Sequence, residues 1–205
     1  MGLVGSNIAR ELARDGYEVV VLDQNSEQGA DFFSGFENVF LESGDITNHF
    51  TLSSIFKKYE IKTVIHAAAI TNGAYCMENP VKAVQVNTLG TMNLLEFCRM
   101  QAINKFIYVS SGSVFGLQES LDPIYESAIP TPMNTYATTK KLSEELVHCY
   151  EVNYGLDTTS VRISWVFGPT PILRKPRWNQ GPIGYYFWNV LTENKLIEES
   201  GLDFQ

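Results

Sequence analysis

Tyr136 and Lys140 stand four residues apart in a stretch, 134–153, that reads as a helix, so a phenol and an ammonium share one face. A tyrosine acting as a base near neutral pH needs help. Bringing its pKa from ~10 to ~7 costs about 4 kcal/mol. One cation about 4 Å away, at an effective dielectric near 20, is worth about 4 kcal/mol, so a single lysine is of the right size. The same spacing also describes an exposed Tyr and Lys on a helix surface, and alone it does not decide between the two. Ser111 ends a strand, 105–110 (KFIYVS), and ligands of open parallel sheets sit at the carboxyl ends of the strands.

A second constellation opens the chain. Gly2 and Gly5 lead a helical stripe of Val4, Ile8 and Leu12, and Asp23 closes the following strand, 18 residues beyond Gly5. Glycines let a backbone approach a pyrophosphate, a helix N-terminus offers unpaired N–H groups, and an acid about 20 residues on can accept from a ribose. A glycine-led helix followed by an ordinary strand-end Asp fits the same letters. Gln24 and Asn25 follow Asp23, so a 2′-phosphate would meet an acid with no cation beside it, and NAD is favoured over NADP. Asp45, after the next strand, could accept from an adenine amino group while Ile46 donates its N–H, or it could cap the helix that begins near residue 47.

Elements that could position these groups alternate. Strands are expected at 17–22, 38–41, 62–67, 105–110 and 157–163, and helices at 3–15, 48–59, 80–101 and 134–153. Val84, Leu89 or Thr88, Leu95 and Cys98 are expected on one face of the long helix, which Pro80 opens. Residues 24–36 read as loop or frayed helix, and 111–132 as loop. This alternation predicts an α/β fold with a Rossmann-like, doubly wound parallel sheet. The anomaly is that a helix stands where such a sheet should begin with a strand.

Composition narrows the partners. Hydrophobic residues make up 44% of 205, enough for a core. A net charge of −8 disfavours nucleic acid and anionic membranes. Three scattered cysteines, Cys76, Cys98 and Cys149, fit a reducing compartment, and the three histidines make no metal-ligand spacing with them. A cytoplasmic protein without a metal site is expected. Met1-Gly2-x-x-x-Ser6 matches the myristoylation pattern, but no second membrane signal follows it.

The parts also have an order. Gly2-x-x-Gly5, Asp23 and Gly44-Asp45 come first, then His66-Ala67-Ala68-Ala69, then Asn87 and Gly90. Ser110-Ser111-Gly112-Ser113-Val114-Phe115-Gly116, Tyr136-Ala137-Thr138-Thr139-Lys140 and Arg162-x-x-x-Val166-Phe167-Gly168-Pro169 complete it. This resembles the extended short-chain dehydrogenase/reductase family, in its branch of NAD-dependent epimerases and dehydratases of nucleotide sugars.

The resemblance implies roles. Gly2 and Gly5 match the last two glycines of the pyrophosphate loop, Asp23 the ribose acid, and Asp45-Ile46 the adenine contact. Ala67, Ala68 and Ala69 would line the nicotinamide side, Asn87 matches a structural Asn of the cofactor region, and Val166 begins the loop that touches nicotinamide. Ser111, Tyr136 and Lys140 match the catalytic trio. Tyr136 would take a proton from a sugar hydroxyl while hydride passes transiently to NAD. Epimerisation or dehydration would then depend on the substrate region. A homodimer is expected of the complete protein.

The departures are a missing first strand and first glycine, with Met1 standing inside the glycine loop, and an end at Gln205 where the family continues. Residues 1–168 are therefore expected to be the NAD-binding domain and 169–205 the start of an incomplete substrate-binding region, in a fragment or a product with an internal methionine. The rival readings are a non-catalytic dinucleotide-binding or scaffold protein on the same fold, and an inactive fragment. His66 reads as a core histidine, and the run Tyr185-Tyr186-Phe187-Trp188 as packing toward the missing part.

Overall fold

A computed structural model describes residues 1–118 and 122–168. The elements run α1 (Leu3–Arg14), β1 (Val19–Asp23), β2 (Val39–Ser43), α2 (His49–Lys58), β3 (Thr63–His66) and α3 (Gly73–Glu78). Then come α4 (Pro80–Ala83), a π turn (Val84–Leu89), α5 (Gly90–Met100), β4 (Lys105–Ser111), α6 (Thr135–Tyr154) and β5 (Asp157–Ile163). The expected alternation holds, all pairings are parallel, and the architecture is the Rossmann-like α/β one.

The boundaries have local causes. Asn48 accepts from Phe50 N at 2.9 Å and Thr51 N at 3.1 Å and so caps α2. Asn134 accepts from Ala137 N at 2.9 Å and starts α6 one residue before the Tyr136 turn. Gly155 stops α6 at φ +68°, a conformation that costs a side-chain-bearing residue energy. The expected loops 24–36 and 111–132 carry short 3₁₀ turns at Ala30–Phe33 and Gly112–Phe115. Helix α3 was not foreseen. It is a short helix capped by Asn72, too brief for a periodic signal.

The core lies between the β3–β4–β5 sheet and helices α2, α5 and α6. Leu52, Leu95, Cys98, Phe106 and Val147 are buried there, with Phe56 stacked on Phe97. The long helix buries the expected Thr88, Leu95 and Cys98 but not the whole face its letters suggest. Val84 is 37% exposed and Leu89 49%, whereas Ala83, Val86, Asn87, Thr88, Thr91 and Leu94 are buried. The π turn widens the helix by part of a residue and rotates its face, which brings Asn87 inward.

Among the described residues the strands form two sheets, β1–β2 and β3–β4–β5. Leu22 of β1 and Val64 of β3 pack on the same core cluster, yet no ladder joins their strands. The gap expected between these two strands is thus present among the described residues. Each of β1 and β3 keeps an edge without a ladder partner among the described residues, and such edges recruit other chains. The 205-residue polypeptide made alone should therefore self-associate, which light scattering over a concentration series would read. A stable monomer at high concentration would mean that another segment completes the sheet.

Candidate active site

Strand β4 delivers Ser111 to its carboxyl end, where the chain turns into the 3₁₀ segment Gly112–Phe115. Ser111 Oγ caps that turn, accepting from Ser113 N at 3.2 Å and from Ser113 Oγ at 3.0 Å. Gly116, at φ +66°, lets the chain leave under the loop that leads to α6. A β-carbon there would stand 2.2 Å from Thr131 O. That loop is tied down by Thr131 Oγ1, which donates to Phe115 O at 2.7 Å. The first turn of α6 then brings the Tyr136 phenol close enough to Ser111 for its hydroxyl to act on the phenol. Ala137, next to it, is fully buried.

Lys140 follows one turn later and is 3% exposed. Its ammonium donates to Val109 O at 2.8 Å and lies 4.8 Å from the centre of the Tyr108 ring. Burial draws its pKa down to about 8, and the nearby Glu144 carboxylate opposes that fall. The Tyr136 phenol moves the opposite way from the sequence expectation. Burial raises its pKa, the nearby Ser111 hydroxyl pulls it down, and Cys76 adds to the rise. Lys140 has the predicted place on the helix face, with its charge drawn to the Val109 carbonyl.

Beneath these groups runs a buried polar layer. His66 Nε2 is 2.9 Å from Thr91 Oγ1, and Thr91 and Ser143 both donate to Asn87 O. Burial and the Lys140 charge hold His66 neutral, its pKa lowered to about 3, which fits the core histidine expected. Asn87 accepts from Ile70 N at 2.7 Å and donates to Ile70 O and Thr139 Oγ1, each at 3.0 Å. Both its N–H donors are committed, so its part is to fix the segment after β3, where Ala67, Ala68 and Ala69 lie, against α6. Ala68 is exposed at that strand end, with Ala67 and Ala69 half-buried.

At the amino end of α1, Gly2 is the extended cap residue, and a β-carbon on it would meet open space. One on Gly5 would touch Ala67 Cβ at 3.4 Å, so α1 packs closely on the end of β3. Asp23 ends β1, and its Oδ1 accepts from Asn25 N at 2.8 Å and from the Met1 amine at 3.2 Å. Bare glycines at a helix start, an acid at the end of β1 and small residues after β3 all lie at carboxyl ends of parallel strands. This set fits a dinucleotide.

Asp45 serves a turn. Its Oδ1 accepts from Thr47 N and Thr47 Oγ1, both at 2.7 Å, and its Oδ2 from Gln24 at 2.7 Å. Burial pushes its pKa up, but these bonds and Lys82 bring the net shift down. The helix cap itself is Asn48. The Ile46 side chain is buried, and a β-carbon on Gly90 would stand 2.6 Å from its Cδ1. Val166 lies exposed just beyond β5, and that segment returns toward α1, with Leu3 Cδ1 4.0 Å from a β-carbon built on Gly168. Pro169, the substrate-region expectation for 169–205 and the aromatic run at 185–188 lie outside the described residues.

Two groups were missed. Glu144, 6% exposed, accepts from Ser110 Oγ at 2.6 Å and takes both arms of Arg162, from Nε at 2.9 Å and from Nη2 at 2.8 Å. Its signal was available, since it continues the four-residue spacing of Tyr136 and Lys140. Arg162 also lies over the Phe115 ring and donates to Glu126 O at 3.3 Å, joining β5 to the loop before α6. Among the described residues no cluster of His, Cys, Asp and Glu could hold a metal, and no helix is long and apolar enough to cross a membrane.

Comparison with known proteins adds to this geometry. A family described as "NAD dependent epimerase/dehydratase family" matches residues 1–197. UDP-glucuronate 4-epimerase 4 of Arabidopsis thaliana is 31% identical over 197 residues, covering 91% of this chain and 43% of the relative. The structure of a Thermus thermophilus UDP-glucose 4-epimerase in complex with NAD superposes with a TM-score of 0.74 at 30% identity, over 78% of this chain and 51% of that one. An epimerase from Methanothermobacter thermautotrophicus reaches 0.84 at 30% identity, over 94% and 56%. The chain spans about half the length of the curated relatives it matches.

The buried histidine makes stability depend on pH. With the folded pKa near 3 and the unfolded value near 6.5, the unfolded chain binds the extra proton between them. Stability from this group is present above pH 6.5 and is lost as pH falls through that window, at up to about 1.4 kcal/mol per pH unit. Urea unfolding at pH 7 and pH 5 should show a larger drop for the parent than for a His66→Gln variant. Equal drops would mean that His66 charges freely in the folded state.

Proposed function

The chain belongs to the NAD-dependent epimerase/dehydratase family, and we propose that it carries the cofactor-binding and catalytic half of a nucleotide-sugar 4-epimerase. The observation that carries the reading is the meeting of Ser111, at the carboxyl end of β4, with Tyr136 on the first turn of α6, where the hydroxyl acts on the phenol, one helical turn before the buried Lys140. The relatives are UDP-sugar 4-epimerases by name, which supports a UDP-sugar as the substrate class.

The α1 terminus with Gly2 and Gly5 would hold the pyrophosphate, Asp23 the ribose of the adenosine, and Ala67–Ala69 with Val166 the nicotinamide end. NAD, when bound there, supplies the hydride acceptor and a cationic ring that favours the phenolate. Tyr136 accepts the proton of the sugar hydroxyl at the carbon being inverted and returns it at the end of the cycle. Ser111 donates to the same oxygen and keeps it within reach of the phenol. Lys140 supplies the fixed positive charge on that helix face, so that the phenol can give up its proton despite its burial. The same network orders the parts before substrate arrives, which is where enzymes gain most from polar groups. Val81, Leu89 and Met92, exposed along the long helix, support a homodimer of the complete protein.

Tyr136→Phe keeps the ring and removes the proton acceptor. In the polypeptide that carries the complete substrate region, turnover of a UDP-sugar panel should fall roughly 10²–10⁴-fold. An unchanged rate would place the base elsewhere. In the same polypeptide, calorimetric titration should show tighter binding of NAD than of NADP, because Asp23 is followed by Gln24 and Asn25 and no cation. Equal affinities would remove Asp23 from the ribose site.

A further inference from the structure

The Glu144 carboxylate has a placement that joining β5 to α6 does not explain. An ion pair for that purpose gains nothing from burial, since taking a carboxylate out of water costs more than a surface pair returns. Yet Glu144 is almost wholly enclosed, two turns beyond Tyr136 and one beyond Lys140 on the same side of α6. The contacts of the two residues on β4 are also consecutive: Lys140 takes the carbonyl of Val109, and Glu144 takes the hydroxyl of Ser110. Two cations, Lys140 and Arg162, thus flank a single buried anion.

We propose that Glu144 is a positioning residue for the reaction described above: its carboxylate, clamped by Arg162 and Ser110, keeps Lys140 a cation on the helix face that carries Tyr136. The proposal rests on the reading of Lys140 as the charged partner of Tyr136. The groups that face the ammonium or its anion are His66 on β3, Tyr108 on β4, Tyr136, Lys141 and Glu144 on α6, and Arg162 on β5 behind Glu144, with Cys76 on α3 beside Tyr136. His66 and Tyr108 are uncharged there, since burial lowers the one and raises the other. That leaves Glu144 as the anion among them. Without it, a buried ammonium is left beside a neutral imidazole with no anion, and such an ammonium loses its proton.

The test reads the protonation of Lys140 directly, without NAD or sugar. The 205-residue chain is trace-acetylated with acetic anhydride over a pH series, and each lysine is read by mass spectrometry, with exposed surface lysines as internal references. In Glu144→Gln, which keeps the shape and removes the charge, the Lys140 midpoint should fall by about one pH unit or more while that of Lys62 stays put. An unchanged Lys140 midpoint overturns the proposal. Where Glu144→Gln fails to fold, Lys140→Met reads the same coupling from the other side, because linkage is reciprocal. Amidation of Glu144 by a carbodiimide over pH should then report a raised carboxyl midpoint in Lys140→Met. An unmoved one overturns the proposal equally. Failure here leaves the Tyr136→Phe test untouched, and failure of that test leaves this coupling measurable.

Discussion

The ammonium of Lys140 ends on the carbonyl of Val109, out of water, and much of the molecule is arranged around that contact. It requires helix α6 to lie hard against β4, with the first turn of α6 beside Ser111 and its third turn beside Ser110. Arg162 extends the same seam to β5, and Asn87 extends it through Thr139 and Ile70 to the segment after β3. A lysine buried to this degree loses solvation that a single carbonyl does not restore. The rest is supplied by the face of Tyr108 and by the carboxylate one turn on. The polar layer between sheet and helices is thus a single connected system whose members fix one another's positions.

That connection ties fold to chemistry. The parallel strands bring their carboxyl ends to one edge, and the groups placed there arrive from different stretches of chain: Asp23 from β1, Ala67 from the end of β3, Ser111 from β4 and Tyr136 from α6. The deep layer of Asn87, Thr91, Thr139 and Ser143 holds the backbone in place so that the shallow layer can meet a ligand. The phenol of Tyr136, raised by its own burial, is at rest a poor base. On the function proposed above, it would take a proton only once positive charge gathers near it, so that abstraction would wait for an occupied site.

The strands and long helices were legible because their signals are local and repeated. β5 falls on its expected span, 157–163, and α6 within one residue at each end. The sheet break was legible too, as a helix standing where a strand should open the fold. Three features were hidden for physical reasons. The capped helix at Gly73–Glu78 has too few residues to show a period. The inward place of Asn87 and the exposure of Val84 and Leu89 go with a π turn that no 3.6-residue pattern anticipates. The state of the Tyr136 phenol depends on how deeply it is enclosed, which spacing alone does not report. Glu144 was readable as the third member of a four-residue series, but nothing in its letter says that it is buried.

The π turn at Val84–Leu89 also bears on how this chain tolerates insertion and deletion. A wide turn holds one residue more than ordinary helical pitch requires. Losing a single codon between positions 84 and 89 would let the helix close into a regular one, with the residues after it keeping their face and those within the turn losing the inward bulge. Asn87 or its replacement would leave the buried layer, and the Ile70 backbone would lose its partner. The same loss in the stretch from Gln24 to Phe36 removes a link between two strands and leaves the polar layer as it is. Reading-frame-preserving indels should therefore collect in that outer link across relatives of this chain and be absent from six residues in the middle of a helix, where an alignment scored on helix propensity alone would see no reason to forbid them.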